Sequence, residues 1–303
     1  MFRKLSVMLA LLGAFVMPQA IRADLALGDA NKFGLLFEGG GINTLQVTNV
    51  SVLGNVGVGG TGKMTDSGPS TITGNIYFSA ANTGQFSSNN AANVYGGPFF
   101  NSAWVSSILT NLNSLNATYG AEAGTSVSIN HTTTINASAG VLDSHGNRVF
   151  KVTGFNTTNS DILTINGDAA GDSVILNFAN SVNFNNQVVL KGISASQVLY
   201  NFVGGSNLTG GPTLQVNNNS SSHLGDVQGM FLDPNGPISV TNADVLGGVF
   251  GGDTHDFQYV SGSAIDAPGG QVPEPNTVVL LGLMLAITVS ASRTKLRLRA
   301  PRD

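Results

Sequence analysis

The chain has 303 residues, of which 42% are hydrophobic and 10% are charged, and its formal net charge is −4. The hydrophobic content excludes global disorder, and the absence of cysteine excludes disulfides, thiolate zinc sites and thiol nucleophiles. Polarity comes instead from hydroxyl side chains, 39 glycines and 32 asparagines, a composition typical of a β-rich, turn-dense protein.

The first 23 residues have the features of a secretory signal peptide. Arg3 and Lys4 provide the positive start, a mostly apolar stretch follows, and Ala20 and Ala23 offer small residues for cleavage. The apolar stretch is too short to cross a bilayer of about 30 Å as a helix. We therefore expect residues 1–23 to direct export, with a buried core helix as the alternative.

Short apolar alternations separated by Gly, Asn and Asp begin at Leu25 and predict many short strands. The clearest are Leu45–Val47, Val50–Val52, Val56–Val58, Ile72–Ile76, Val127–Ile129, Ile162–Ile165 and Val174–Leu176. Their density is typical of a sandwich or a β-solenoid. Several strands end in asparagine, which tolerates the left-handed backbone region and suits the corners of a β-helix: Asn130, Asn136, Asn166 and Asn217. We expect a mainly β, irregular β-helix over residues 24–271, without a strict repeat.

One segment has helical periodicity instead. Its apolar residues recur at spacings of three and four: Trp104, Ile108, Leu112, Leu115 and Tyr119. This spacing predicts one long α-helix over about residues 101–119, packed along the solenoid. Asn101 or Ser102 is the expected side-chain cap at its start, and Gly120 is the expected left-handed cap at its end.

Two clusters contain the residue types of acid–base or metal chemistry. Asp143-Ser144-His145 would place a carboxylate and an imidazole on one face of a strand, but Asp143–Asn147 is also a turn sequence. Asp253, His255 and Asp256 could bind a cation, but too few oxygen ligands are evident and a surface loop explains them equally. We expect neither cluster to be catalytic or to bind a metal.

A further glycine pattern, Gly57-Val58-Gly59-Gly60-Thr61-Gly62, has the spacing of a dinucleotide-binding loop. No helical pattern begins after Gly62, and no acidic residue follows some twenty positions later. Since the chain also has no Gly-x-Ser-x-Gly nucleophile motif, we expect no cofactor and no catalytic residue. Carboxylates that converge in a β-helix groove would still allow a polysaccharide-active hydrolase or lyase.

Threonines form short ladders at Thr71–Thr73, Thr132–Thr134 and Thr157–Thr158. Evenly spaced hydroxyls and methyls on a flat sheet could order water, which is the chemistry that ice binding requires. Ordinary β propensity also explains them.

The C-terminal segment has three features in a fixed order. Val272-Pro273-Glu274-Pro275 is followed by an apolar run over 277–291 and then by a basic cluster: Arg293, Lys295, Arg297, Arg299 and Arg302. The apolar run can just cross a membrane, and the basic cluster favours a cytoplasmic end. This tail resembles the PEP-CTERM sorting signal, also called an ice-binding protein C-terminal domain. The resemblance implies three domains (1–23, 24–271 and 272–303), transient membrane anchoring and cleavage by an exosortase.

Between the two ends, residues 24–271 contain five basic and fifteen acidic residues, a net charge of about −10. Such a charge repels phosphate backbones and argues against nucleic-acid binding. Two motifs, Leu27–Phe33 and Asn55–Gly60, resemble the opening of the choice-of-anchor A family, and four later segments keep the order of its closing motifs: Val198–Phe202, Gly229–Asn235, Val245–Gly252 and His255–Phe257. The overall order is also similar to the ice-binding β-helix family.

These features predict an exported, non-enzymatic envelope or matrix protein with a structural or adhesive role. Its expected partners are the secretion machinery, exosortase, the membrane before processing and extracellular polysaccharide. Ice binding and polysaccharide cleavage are the alternative functions.

The tail gives the first testable prediction. Replacing Pro273, Glu274 and Pro275 with alanine should leave an uncleaved, membrane-held chain in an exosortase-positive host, because prolines keep the chain extended for a protease. Immunoblotting of membrane and medium fractions measures this, with Asn276→Ala as the neighbouring control. Normal release of the triple variant would contradict the assignment.

Overall fold

The structure is a computed structural model, and it describes residues 25–41, 43–81, 83–167, 173–204, 213–217, 227–252 and 255–268. The predicted signal peptide and the sorting tail, including Val272–Pro275 and Arg293–Arg299, lie outside these residues. No helix in the described part of the chain is long and apolar enough to cross a membrane.

The described residues form 23 short strands, one α-helix and four 3-10 segments. Before the helix the strands are β1 Phe33–Phe37, β2 Thr44–Thr48, β3 Ser51–Leu53, β4 Asn55–Val58, β5 Lys63–Ser67, β6 Thr71–Phe78, β7 Phe86–Ser88 and β8 Val94–Phe99. The helix α1 is Ala103–Ala121, and the 3-10 segments are Gly28–Lys32, Thr83–Gln85, Ala137–Ala139 and Ala195–Gln197. After the helix the strands are β9 Thr125–Asn130, β10 Thr133–Asn136, β11 Val141–Leu142, β12 Asn147–Asn156, β13 Ile162–Asn166, β14 Ser173–Phe178, β15 Val182–Phe184, β16 Gln187–Lys191, β17 Val198–Phe202, β18 Leu214–Asn217, β19 Val227–Asp233, β20 Ile238–Thr241, β21 Asp244–Gly251, β22 Phe257–Val260 and β23 Ala264–Asp266.

The strands stack into an irregular parallel β-helix, as predicted. They form sheets of 13, seven and three strands, and the described pairings are parallel except that of β11 with β12. Successive coils place one strand in each sheet, so apolar residues from all three sheets point into one interior. The core is dry and rich in aromatic rings, with Phe178 stacked on Phe202 and Tyr200 stacked on Phe231.

The coils do not stack in chain order. In the seven-stranded sheet the spatial order is β15-β18-β20-β22-β2-β5-β7. The strand β2 from the beginning of the chain therefore lies between β5 and β22, a strand from its end. In the large sheet β1 likewise pairs with both β21 and β4. Because neighbours in space are distant in sequence, no repeat period is visible in the sequence.

Helix α1 covers the outer side of the 13-stranded sheet. The apolar residues that it buries form one layer with Val105, Ile108, Leu109, Leu112 and Tyr119: Leu36, Ile175, Leu199, Met230, Leu232 and Phe250. These strands are therefore buried on both sides, which explains their continuous apolar runs, such as Val174–Leu176. We call this the covered face.

Three buried asparagines join the helix to the covered face through their side-chain amides. Asn116 on the helix donates to the Asn201 carboxamide at 2.7 Å and to the Phe202 carbonyl at 2.8 Å. Asn201 donates to Asn177, and Asn177 donates to the Tyr119 carbonyl at 2.7 Å. Since buried polar groups are costly unless they are paired, this chain of bonds fixes the register of the helix on the sheet.

The predicted helix is confirmed, but both predicted caps are wrong. The N-cap is Ser102, yet neither its hydroxyl nor the side chain of Asn101 caps the helix; Asn101 instead has a φ of 58°. Gly120 lies inside the helix and is not left-handed. A Cβ at this position would lie 2.5 Å from the Val203 side chain, so glycine is required there for close packing on the sheet.

The predicted left-handed corners exist but fall on other residues. Asn130, Asn136, Asn166 and Asn217 are the last residues of extended strands. In the seven-stranded sheet the left-handed residue follows the strand: Asn49 after β2, Asn242 after β20 and Ser261 after β22. The strand must stay extended through its last pairing before the backbone turns, so the corner is displaced by one residue.

Truncating the layer beneath the helix tests this packing. Leu112→Ala should lower the free energy of unfolding by about 2–5 kcal/mol, because Leu112 is fully buried between helix and sheet and the substitution leaves a cavity. Denaturant unfolding measures the difference. Asn111→Ala, on the exposed side of the same turn, should change it by no more than about 0.5 kcal/mol. Equal effects of the two substitutions would contradict the packing described.

Candidate ligand-binding surface

The outer side of the seven-stranded sheet is exposed, and we call it the open face. Its strands alternate between buried residues that fill the core and residues that point outward, as in β2, where Leu45 and Val47 are buried. The strand pairing aligns the outward residues into two rows. The long row is Asn183, Gln215, Ser239, Gln258, Gln46, Thr65 and Ser87. The short row is Asn217, Thr241, Val260, Thr48 and Ser67.

The two rows carry no charged side chain. Lys63, at the start of β5 beside Thr44, is outside both rows. Adjacent strands are about 4.8 Å apart and alternate residues on one strand are about 6.7 Å apart, so the rows form a two-dimensional array of hydroxyl and amide groups roughly 29 Å long. This surface can make many weak polar contacts to an extended, uncharged ligand.

The two rows differ in stiffness and hydrogen-bonding capacity. The short row contains only short side chains, and Thr48, Thr241 and Val260 are β-branched, so their χ1 angles are restricted. The long row contains three glutamines, which are longer and carry both a donor and an acceptor. The short row is therefore a preorganised, nearly flat strip, and the long row is more adaptable.

The interior beneath the open face holds two buried carboxyl groups. Asp66, on β5, accepts hydrogen bonds from the Asn93 amide and, at 3.5 Å, from the Ser88 hydroxyl, and burial raises its pKa. Asp233, at the end of β19 just before the chain turns toward β20, is fully buried. Burial raises the pKa of Asp233 to about 8, and the nearby backbone amides of Leu214, Asn235 and Gly236 offset only part of this effect.

The threonine ladders that the sequence analysis singled out lie elsewhere. Thr71 and Thr73 are on β6 in the 13-stranded sheet, and the Thr73 hydroxyl is bonded within the fold. Thr134 is on the three-stranded sheet. Thr157 is buried and bonded to Asn185 and Asn186. The open-face threonines were missed because they occur singly, one per strand, and only the stacking of coils aligns them.

The two acidic clusters were predicted to be a turn and a surface loop. Asp143 and His145 do lie in the turn between β11 and β12, where Asp143 Oδ1 accepts the backbone N–H groups of His145 and Asn147 at 2.8 and 2.7 Å. Asp253 lies outside the described residues. Asp256 accepts the Thr44 N–H at 2.8 Å and so links the loop before β22 to β2.

No protein-family model and no curated protein sequence matches this chain. Its fold is similar to that of an ice-binding protein from the Antarctic ascomycete Antarctomyces psychrotrophicus, at a TM-score of 0.51 and 17% identity, with 80% of this chain and 98% of that chain covered. An ice-binding protein from an Antarctic biological consortium matches at 0.47 and 15%, covering 80% and 90%, and one from an Arctic yeast at 0.46 and 14%, covering 84% and 97%. The similarity to ice-binding proteins predicted from the sequence is therefore confirmed for the fold.

The buried Asp233 carboxyl predicts a pH dependence of stability. Its folded pKa of about 8 lies above the ordinary value of about 3.9, so the folded state retains a proton that the unfolded state releases. The free energy of unfolding should therefore fall as pH rises from about 4 to about 8. Asp233→Asn should flatten this slope, measured as melting temperature against pH. Parallel curves for the two proteins would contradict the assignment.

Proposed function

We propose that the open face binds ice, and that the short row is the centre of the binding site. The observation that supports this most directly is the row itself: five short, uncharged side chains aligned on adjacent parallel strands. Ice is an extended, uncharged and periodic ligand, so a matching surface has to be flat, regular and rigid over several strands.

The physical chemistry of the short row fits this ligand. Threonine presents a methyl group, which gains from leaving liquid water, next to a hydroxyl group that can hydrogen-bond to ordered water. Charged groups would retain their own hydration, and both rows lack them. Because the strands are held by backbone pairing and the side chains are stiff, little conformational entropy is lost on adsorption.

The test compares bulky substitutions on and off the open face. Thr241→Tyr and Thr48→Tyr should abolish most of the thermal hysteresis and ice shaping of purified residues 24–271, because a protruding ring breaks the flat contact. Thr71→Tyr is the matched control, since Thr71 is an exposed strand threonine on another sheet. Circular dichroism establishes that each variant is folded.

Two results would contradict the proposal. One is an absence of hysteresis and ice shaping in the unsubstituted protein at micromolar concentrations. The other is an equal loss of activity in Thr71→Tyr, which would place the activity away from the open face.

A second candidate is adhesion to extracellular polysaccharide by an exported, non-enzymatic envelope or matrix protein. The long row favours it, because Gln46, Gln215 and Gln258 offer adaptable donors and acceptors for sugar hydroxyl groups. The predicted export signal and sorting tail support delivery to that location. Substituting Gln46 and Gln258 with alanine should weaken retention on immobilised exopolysaccharide without changing ice shaping, which separates the two candidates.

A further inference from the structure

Three metal-binding side chains converge where helix α1 ends, on a different sheet from the open face. Glu122 is the C-cap residue of the helix, and Asp143 and His145 lie in the turn between β11 and β12. One ligand atom from each residue lies within 4.8 Å of the other two. The tertiary structure creates this cluster, because Glu122 is 21 residues from Asp143 in the sequence.

The turn presents Asp143 in a fixed orientation. Its side chain is fully buried, and Oδ1 is occupied by two backbone N–H groups. Oδ2 accepts one hydrogen bond, from the Asn147 side chain at 2.7 Å, and lies 4.0 Å from His145 Nδ1. A carboxylate held by a neighbouring amide in this way resembles a metal ligand oriented by an outer-shell partner.

The remaining two ligands are free to move onto an ion. Glu122 makes no side-chain hydrogen bond among the described residues. The His145 side chain is 61% exposed, and its Nδ1 has only a long contact of 3.3 Å with the Ser144 hydroxyl. Helix α1 also directs the negative end of its dipole toward Glu122, which favours a cation at this point.

The geometry points to a divalent transition-metal site, and we propose that Glu122, Asp143 and His145 bind Zn²⁺. An imidazole nitrogen with two carboxylate oxygens suits zinc better than calcium, which prefers oxygen ligands only. Two ligand atoms about 2.1 Å from a tetrahedral ion are about 3.4 Å apart, so the observed 4.0 Å between Asp143 Oδ2 and His145 Nδ1 requires only a small side-chain shift. Water would complete the coordination of this partly exposed site.

The ion would connect the end of the helix to the last coil of the β-helix. Glu122 follows α1, and the turn carrying Asp143 and His145 leads directly into β12, which pairs with β9 and β14. Zinc binding would therefore stabilise the folded chain at the end of the stack farthest from β7 and β8. This role is separate from ligand binding on the open face.

Metal titration of the full chain, purified in mild detergent and stripped with a chelator, tests the proposal. Calorimetry with Zn²⁺ should detect binding that Glu122→Gln and His145→Ala each weaken at least tenfold. Co²⁺ should give a d–d absorption spectrum that both variants lose. His131→Ala is the matched control, because His131 is another exposed histidine beside a carboxylate, 3.5 Å from Asp161, and its removal should change neither result.

Thermal unfolding provides a second readout. Zn²⁺ should raise the melting temperature of the unsubstituted chain and of His131→Ala, and it should not raise that of Glu122→Gln. The proposal is overturned if Zn²⁺ binding and the Co²⁺ spectrum persist in both site variants, if the unsubstituted chain binds no Zn²⁺, or if Ca²⁺ binds there in preference.

Discussion

The backbone pairing of β2 with β22 is the contact on which the rest of the structure depends. It joins the beginning of the chain to its end, from Leu45 opposite Phe257 to Thr48 opposite Val260. The hydrogen bond from the Thr44 N–H to Asp256 closes the same junction across 212 residues. Without it the seven-stranded sheet would separate into groups of three and four strands, and neither row of the open face would be continuous. Closing so long a loop has an entropic cost that grows only slowly with length, and a full ladder of parallel bonds with buried Val47 and Tyr259 offsets it.

Helix α1 determines which surface is left for a ligand. It buries the apolar outer side of the 13-stranded sheet, and the asparagine bonds of Asn116, Asn177 and Asn201 hold it there. A bare sheet with Leu36, Met230 and Phe250 pointing outward would be an aggregation hazard. The open face needs no such cover, because its outward residues are polar. Division of labour between the two sheets thus follows from the chemistry of their outward side chains, and it leaves a flat polar array exposed while the opposite layer stabilises the fold.

Asparagine has a different physical role in each part of the molecule, and this explains its abundance. Asn49 and Asn242 adopt left-handed backbone conformations at corners of the coils. Asn116, Asn177 and Asn201 satisfy one another in a buried layer. Asn183 and Asn217 point outward on the open face. A small side chain that both donates and accepts hydrogen bonds suits all three environments without adding charge, so a chain with 10% charged residues still satisfies its polar groups.

The sequence by itself determined the elements whose signals are local. Alternation predicted strands such as Leu45–Val47 and Ile162–Ile165, and the spacing of Trp104, Ile108 and Leu112 predicted the helix, because both patterns depend on residues a few positions apart. Corner conformations were predicted in kind but displaced by one residue, since the last strand pairing is not a local property. The role of Gly120 depends on Val203, which touches it only in the folded state. Only the tertiary structure decided the stacking order, and with it the alignment of Thr48 with Thr241 and the approach of Glu122 to His145. Those residues are far apart in the chain, and no pattern within one strand or turn records which coil will lie beside it.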